Sequence, residues 1–360
     1  MTSSSNKPNL KNLPLPALAK AITDLGEPAF RAKQVYKWLY QKRVSSFDEM
    51  ANVSRETRKK LAEHFTVEKL FVAAVLESAE KDAVKFGFKV ADSEYLIESV
   101  LLIDGARRTA CLSSQLGCGL GCLFCETGAI GLIRNLTQAE ILGQLIAIND
   151  YQAGRKDKPV TNIVFMGMGE ALSNYENFLS SLEIINDENA FCIGARRITV
   201  STAGVVPSVR RLMEQDIPIG LAISLNACNN AVRDKIMPVN KKYPIESLVE
   251  IAGEYFEKTG RPVTFEYVLM EGETDGDEAV AALSSLLGKI VCKVNVISLN
   301  PSRYGEAKGP SFKKTEEFVQ KLFDKGLNAT LRRSRGQDIM GACGQLAGSM
   351  KKSWKENYLI

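Results

Sequence analysis

The sequence predicts an α/β fold, an open and partial (β/α)6 barrel preceded by a small helical domain. From about residue 105 onward, short apolar runs rich in β-branched residues alternate with stretches of helical periodicity. This alternation is typical of parallel strands joined by right-handed helical crossovers. The strand-like runs are TACLSS, NIVFMG, RITVST, IGLAISL, VTFEYVL and KVNVISL. Six units are too few to close an eight-stranded barrel, and functional residues are expected at the carboxyl ends of the strands.

The first 70 residues predict a helical domain with a basic face. In GEPAFRAKQVYKWLYQKRV, apolar residues fall on one side and basic residues fall largely on the other. The apolar set is Phe30, Val35, Trp38 and Leu39. The basic set is Arg31, Lys33, Lys37, Lys42 and Arg43. Such a face is either an ordinary solvated surface or a contact for RNA, and the pattern leaves both open.

Between this domain and the barrel, the sequence predicts a β-rich linker, because KFGFKV and YLIESVLLI are close to alternating. The expected division is a helical domain over 1–70, the linker over 71–103, the barrel over 104–335, and a loop with a tail over 336–360.

Composition places the chain among ordinary globular proteins. Its 360 residues are 45% hydrophobic and 24% charged, and the net charge of +4 is too mild to indicate nucleic acid by itself. No run reaches the roughly 18 apolar residues of a membrane helix, and the first residues lack the apolar segment of a secretion signal. We therefore expect a cytoplasmic monomer that has no membrane partner and keeps its cysteines reduced.

Three of the eight cysteines lie close together in SSQLGCGLGCLFCETGAIG. Cys118, Cys122 and Cys125 form C-x3-C-x2-C directly after the first barrel strand. A structural zinc site needs a fourth Cys or His at similar spacing, and the one histidine, His64, lies in the helical domain. Iron–sulfur clusters usually have four cysteine ligands, so three thiolates leave one iron open to a small molecule. Packing roles are expected for Cys192, Cys228 and Cys292.

C-x3-C-x2-C with Phe124 before its last cysteine resembles the radical S-adenosylmethionine (SAM) superfamily. The resemblance implies a radical SAM barrel with a [4Fe–4S] cluster on the three cysteines, and SAM on the open iron as the source of a 5′-deoxyadenosyl radical. FMGMGEALSN resembles the motif in which Gly169 and Glu170 receive the amino group of SAM. Residues at other strand ends resemble the remaining SAM contacts, namely Ser201, Ser224, Leu225, Asn226 and Asn300.

Longer stretches narrow the resemblance to the RlmN/Cfr family of radical SAM adenine methyltransferases, over about residues 20–350. They include ACLSSQLGCGLGCLFC, RRITVSTAGVVPSV, RDKIMPVNKKYPIE and DIMGACGQLAG. The family implies large-subunit rRNA as the partner, with tRNA as a second substrate, and an electron donor such as a flavodoxin-type reductant. It also implies two SAM molecules per turnover, one as methyl donor and one as radical source.

The family resemblance also implies how a methyl group reaches a ring carbon of adenine, which is too electron-poor to attack SAM directly. The methyl group is first placed on the thiol of Cys343, and a radical derived from it adds to the base. Cys111 then attacks the Cys343 sulfur, which releases the base and leaves a Cys111–Cys343 disulfide. Glu98 is implied as the acceptor of the ring proton. Candidates for contacts with RNA phosphates are Arg332, Arg333, Arg335, Lys241 and Lys242.

The target carbon and the class of substrate stay open at this level. The family contains a housekeeping branch that modifies carbon 2 of adenine and an antibiotic-resistance branch that modifies carbon 8. RRSRGQDI and CGQLAG are more similar to the former, and GEAL and TGAIGL to the latter; the arginine-rich segment before Cys343 favours carbon 2. A radical SAM enzyme for a small molecule or peptide also stays open, as does a non-enzymatic iron–sulfur or zinc RNA-binding module.

Overall fold

The computed structural model of the protein describes residues 7–90, 92–302 and 307–348; the first residues and the KKSWK tail lie outside these ranges. Its strands are β1 (Phe71–Glu77), β2 (Ala83–Lys89), β3 (Leu96–Asp104), β4 (Arg107–Cys111), β5 (Gln115–Gly117), β6 (Leu132–Asn135), β7 (Asn162–Phe165), β8 (Ile198–Thr202), β9 (Gly220–Ser224), β10 (Val263–Leu269), β11 (Cys292–Ser298) and β12 (Ala329–Leu331).

The helices of the described ranges are α1 (Leu15–Asp24), α2 (Arg31–Tyr40), α3 (Arg55–His64), α4 (Glu126–Ile130), α5 (Gln138–Gly154), α6 (Tyr175–Asn186), α7 (Val206–Met213), α8 (Asn230–Ile236), α9 (Ile245–Thr259), α10 (Asp277–Leu287) and α11 (Phe312–Asp324). Within these ranges, none of them is long and apolar enough to span a membrane.

Ten strands form one sheet, in the order β1-β2-β3-β4-β7-β8-β9-β10-β11-β12. The strands from β4 through β12 in this order pair in parallel, which confirms the six predicted barrel strands. The strand β12 is a further parallel strand that the prediction missed, because three residues are too few to show a pattern. Residues 71–103 do form strands, and β1, β2 and β3 pair antiparallel as a continuation of the barrel sheet.

The loop after β12 contacts the antiparallel part of this open sheet through side chains. The Arg335 guanidinium donates to the carbonyl of Ile103 and pairs with Asp104 at 3.0 Å. The Asp338 carboxylate accepts a hydrogen bond from the backbone of Ala79 at 2.8 Å. These side-chain contacts, rather than a ladder of backbone hydrogen bonds, link the loop after β12 to β3 and to the turn between β1 and β2.

Alternation along the barrel strands separates a packed outer face from a partly open lumen. In β7, Ile163 and Phe165 are buried, whereas the intervening Val164 is half-buried. In β8, Thr199 and Ser201 are half-buried in the same way. Successive side chains of a strand point to opposite faces, so these half-buried residues line an interior that leaves space for a substrate.

The helical domain is confirmed, and it packs against α5. The helix α2 buries Val35 and Leu39, as predicted. Phe30 was wrongly assigned to the apolar face: it is 58% exposed, because it precedes the helix as the N-cap residue. The amide of Gln138, the first residue of α5, donates to the carbonyl of Lys11 at 2.7 Å and so ties the domain to the barrel.

The hairpin of β5 and β6 supports the loop that contains the three clustered cysteines. The two strands pair antiparallel at the base of the loop. Gly117 at the base has a φ of +75°, and a Cβ atom there would lie 1.8 Å from the carbonyl oxygen of Gly131. Past the hairpin, α5 begins with a capping box in which Thr137 and Glu140 bond to each other's backbone N–H groups.

Gly117→Ala is expected to displace this loop, because the new methyl group would overlap the Gly131 carbonyl. Gly121→Ala is the matched control: Gly121 has a φ of +64° but no atom within 4 Å of its Cβ position. The control should cost only backbone strain, about 1–2 kcal/mol. Urea unfolding and iron analysis should show a larger loss of stability and of bound iron for Gly117→Ala. Equal losses in the two variants would contradict this account of the loop.

Candidate active site

The carboxyl ends of the barrel strands surround a cavity of about 180 Å³. Ten of the thirteen predicted site residues line it: Cys118, Cys122, Cys125, Gly169, Glu170, Ser201, Ser224, Asn226, Asn300 and Cys343. These residues come from loops after β5, β7, β9, β11 and β12 and from β8 and β9 themselves. The structure therefore brings together residues from both ends of the barrel segment of the chain.

The three clustered cysteines share one wall of this cavity. Burial raises the pKa of Cys118 to about 12, and it also raises the pKa of the Cys122 and Cys125 thiols. Negative charge on Cys125 or Cys118 would raise the pKa of Cys122 further, which indicates that the sulfurs are neighbours. Buried thiols of this kind need a bound cation to become thiolates.

The donor set of the three cysteines fits an iron–sulfur cluster. In the described part of the chain, no three His, Cys, Asp or Glu side chains converge as ligands of a single metal ion. A [4Fe–4S] cluster binds each thiolate through a different iron, so its ligands need not converge. Cys118, Cys122 and Cys125 would hold such a cluster. Because three cysteines bind three of the four irons, one iron is left for SAM.

Glu170 places a carboxylate in the wall of the same cavity as the cysteines. It is 4% exposed and accepts hydrogen bonds from the backbone of Ala203 at 2.8 Å and of Leu172 at 3.3 Å. Burial raises the pKa of Glu170 to about 7, and a bound ammonium group would favour its ionised form. The preceding Gly169 has a φ of +91°, and a Cβ there would lie 2.3 Å from the Cβ of Gln115, so only glycine fits.

At the end of β9, the predicted SAM contacts Ser224 and Asn226 line the cavity, but Leu225 does not. The side chain of Leu225 is fully buried in the core and does not line the cavity, so only its backbone can contribute. Asn226 adopts a left-handed φ of +57°, and its side-chain oxygen accepts a hydrogen bond from the backbone of Val268 at 3.2 Å. The Asn226 side chain thus joins the ends of β9 and β10.

Arg233, on α8, organises these strand ends and was not predicted. Its side chain is fully buried and donates to the carbonyls of Ala203 at 2.7 Å, Ser224 at 3.0 Å and Leu225 at 2.9 Å. It also donates to the Asn240 side chain at 2.9 Å. No carboxylate among the described residues forms an ion pair with it. One guanidinium therefore fixes the loops after β8 and β9, and no sequence spacing would have revealed this.

The loop of residues 341–348, which we call the carrier loop, holds Cys343 against the cysteine loop. The amide of Asn300 donates to the Cys343 carbonyl at 2.9 Å. The Gly344 carbonyl accepts from the backbone of Glu126 at 2.8 Å, and the Thr127 hydroxyl donates to the Leu346 carbonyl. Asn300, predicted as a SAM contact, thus also positions the carrier cysteine.

Glu98 lies behind the carrier loop. Its carboxylate is 1% exposed and accepts hydrogen bonds from the backbone of Ala347 at 2.9 Å and Gly348 at 3.2 Å. It also forms an ion pair with buried Lys85 at 3.3 Å. Glu98 is absent from the described lining of both cavities near Cys343. Its role as proton acceptor stays a prediction, and the structure shows it holding the end of the loop.

A second cavity, of about 560 Å³, adjoins the first and contains Cys111. Cys343 lines both cavities, and so does Cys125. Burial, together with the charge of Cys343, raises the pKa of Cys111 to about 12, although Arg332 acts in the opposite direction. Cys111 is therefore a neutral thiol near pH 7 in this arrangement. The two cysteines with implied sequential roles thus face one space.

All eight cysteines are free thiols, so the implied Cys111–Cys343 disulfide is not present. Cys192 is exposed, and its predicted packing role is wrong. The arginines before the carrier loop are partly committed to carboxylates: Arg332 pairs with Glu266 at 3.4 Å and Arg335 pairs with Asp104 at 3.0 Å.

Comparison with known proteins identifies the class to which this chain belongs. Residues 112–283 match the model of the radical SAM superfamily, and residues 8–67 match the model of the ribosomal RNA large subunit methyltransferase N-terminal domain. The structure is similar to a radical SAM methyltransferase from Sphaerobacter thermophilus, with a TM-score of 0.91 and 38% identity over 95% of this chain and 100% of that chain. The fold and site thus define a radical SAM methyltransferase, a class that uses a [4Fe–4S] cluster and SAM.

Relatives that match this chain over nearly its full length identify its family within this class. The chain is 43% identical to the probable dual-specificity RNA methyltransferase RlmN of Desulforamulus reducens, over 95% of this chain and 96% of that protein. It is 40% identical to the dual-specificity RNA methyltransferase RlmN of Desulfotalea psychrophila, over 96% of this chain and 97% of that protein. The chain belongs to the RlmN family of RNA methyltransferases.

Arg233→Met is expected to destabilise the protein and weaken SAM binding, because the buried carbonyls after β8 and β9 lose their donor. Each buried polar group left unsatisfied costs about 1–3 kcal/mol. Arg233→Lys should recover part of the loss, and the surface variant Arg210→Met is the control. Urea unfolding and equilibrium SAM binding measure the two effects. Wild-type stability and SAM affinity in Arg233→Met would refute the role of Arg233.

Proposed function

We propose that this protein methylates carbon 2 of adenine in large-subunit rRNA and in tRNA, with Cys343 as the carrier of the methyl group. The observation that carries the proposal is the position of Cys343, which lines both the cavity of the predicted SAM contacts and the cavity that contains Cys111. A thiol in this position can receive a methyl group on one side and deliver carbon to a base on the other.

The residues of the chain divide the reaction between the two cavities. When bound, the cluster and SAM supply the methyl group and, after reduction, the deoxyadenosyl radical. Glu170, Ser201 and Asn226 line the cavity that would orient SAM beside the cluster. Asn300 and Thr127 hold the carrier loop. The sulfur of Cys343 therefore keeps a fixed position between the two cavities.

Release of the base requires the second thiol. After the carbon on Cys343 bonds to adenine, the ring carbon loses its hydrogen as a proton, for which Glu98 is the predicted acceptor, and the unpaired electron returns to the oxidised form of the electron donor. Cys111 then loses its proton and its sulfur attacks the Cys343 sulfur. An S–S bond forms, the S–C bond breaks, and its electron pair moves to the carbon, which takes a proton and becomes the methyl group. The disulfide is oxidised relative to two thiols, so a dithiol reductant must restore Cys111 and Cys343 before the next turnover.

Support for carbon 2 and for RNA comes from the relatives and from the helical domain. The full-length relatives cited above are both RlmN proteins, and RlmN is the carbon-2 branch. In the domain, Lys33, Lys37 and Lys42 surround Trp38 in a groove of about 300 Å³, and basic side chains beside an aromatic ring suit an RNA strand. We further propose that the protein acts as a monomer and takes electrons from a flavodoxin-type reductant.

The product tests the proposed function directly. The anaerobically reconstituted protein should convert an rRNA fragment containing the target adenine in the presence of SAM and a reductant. Nuclease digestion followed by mass spectrometry should yield a nucleoside that matches authentic 2-methyladenosine. A match to 8-methyladenosine would overturn the choice of carbon but keep the route through Cys343. The absence of any methylated adenosine in rRNA and in tRNA would overturn the proposed function.

Variants of the two thiols should fail at different steps. Cys343→Ala should produce neither methylated RNA nor a protein–RNA crosslink, because it lacks the carrier. Cys111→Ala should accumulate RNA bonded to Cys343, because the adduct forms and is not released. Exposed Cys192→Ala is the matched control and should behave as wild type. Denaturing gels and peptide mass spectrometry distinguish these results, and the absence of a crosslink in Cys111→Ala would contradict the assignment.

A further inference from the structure

Three arginines lie at the amino ends of β4 and β8, the two strands that flank β7, at the mouth of the cavity that contains Cys111 and Cys343. Arg107 is the first residue of β4, and Arg196 and Arg197 directly precede β8. All three line the cavity of about 560 Å³. We propose that this arginine mouth binds phosphates of a single-stranded RNA segment, and that the target nucleotide reaches Cys343 through the amino end of the barrel. This inference rests on the proposed function.

The arginine mouth has charge that the protein leaves uncompensated. Arg107, Arg196 and Arg197 are exposed, and none forms an ion pair with a carboxylate in the part of the chain that the structure describes. Asp104 also lines the mouth, but its carboxylate is paired with Arg335 at 3.0 Å. Uncompensated guanidinium groups around a cavity are the natural partners of phosphate oxygens.

Two other surface arginines, by contrast, are each paired with a carboxylate. Arg210 pairs with Glu254 at 2.7 Å, and Arg211 pairs with Glu176 at 2.7 Å. These two lie on α7 and line neither cavity near Cys343. They therefore offer a matched control with the same number and type of charges.

The passage from the arginine mouth to the thiols is short, and both polar side chains and apolar ones such as Val100 and Val164 line it. The strand β4 runs from Arg107 to Cys111, which at 3.3 Å per residue gives a depth of about 13 Å. Thr109, Asn162 and Thr199 line the passage, and strand pairing brings Thr109 beside Asn162. These groups can donate to and accept from the ribose and the edge of an extruded base.

The opposite end of the barrel is closed by the carrier loop. Hydrogen bonds from Glu126 and Thr127 to the loop, and from Asn300 to Cys343, hold it over the carboxyl ends of the strands. The cavity of the predicted SAM contacts also lies at that end. SAM and RNA would therefore approach Cys343 from opposite sides, which lets one thiol serve both without either reactant leaving first.

The double variant R196Q/R197Q tests the arginine mouth against the control R210Q/R211Q. Binding of a target-containing RNA hairpin is measured by fluorescence anisotropy over a series of salt concentrations. R196Q/R197Q should bind at least about tenfold more weakly at low salt, and the slope of log K against log salt should fall by about 1.4, because each single-strand phosphate contact contributes about 0.7. The control should retain the wild-type affinity and slope.

Two measurements separate failure of this inference from failure of the proposed function. Wild-type protein is assayed for methylated adenosine in the same RNA, and urea unfolding establishes that both double variants are folded. No methylated adenosine from wild type would count against the proposed function. Methylation by wild type, together with equal RNA binding by R196Q/R197Q and R210Q/R211Q, would overturn the proposed access through the arginine mouth. The proposed function would then still stand.

Discussion

The hydrogen bonds between the carrier loop and the cysteine loop determine where the carrier thiol stands. The backbone of Glu126 and the hydroxyl of Thr127 bind the carrier loop directly after the last clustered cysteine. Asn300 fixes the carbonyl of Cys343 itself. Because reacting atoms must approach within a fraction of an ångström of the productive geometry, this attachment would couple Cys343, the proposed carrier, to the proposed cluster site. The two cavities can serve one reaction only while the loop stays there.

Buried charges reinforce this geometry from outside the cavities. Lys85 and Glu98 form a buried pair behind the carrier loop, and Glu98 binds the last two described backbone N–H groups of that loop. Arg233 donates to the backbone carbonyls of Ala203 and Ser224 and so fixes the ends of β8 and β9. Buried charged groups are costly unless all their bonds are made, so each tolerates few arrangements of its surroundings. They act as positioning residues, because they favour one conformation of the loops that they bind.

The open barrel offers a large substrate the proposed route to Cys343. A closed barrel of eight strands fills its interior with side chains. Here the sheet stays open, Arg335 links the loop after β12 to β3, and the half-buried inner residues leave a passage of about 560 Å³. Side chains of Thr109 and Thr199 line that passage instead of a packed apolar core. The same openness that limits packing would give a base access to Cys343 by the proposed route.

Local patterns in the sequence by themselves determined the six parallel strands, the helical domain and the spacing of Cys118, Cys122 and Cys125, because periodicity and ligand spacing act over a few residues. Resemblance added the remaining candidate residues, most of which meet in one cavity. Only the tertiary structure decided that Leu225 faces the core, that Arg233 binds strand ends, and that strand β12 exists. These features depend on contacts between distant segments, and burial and hydrogen-bond partners across the fold leave no periodic trace in the chain.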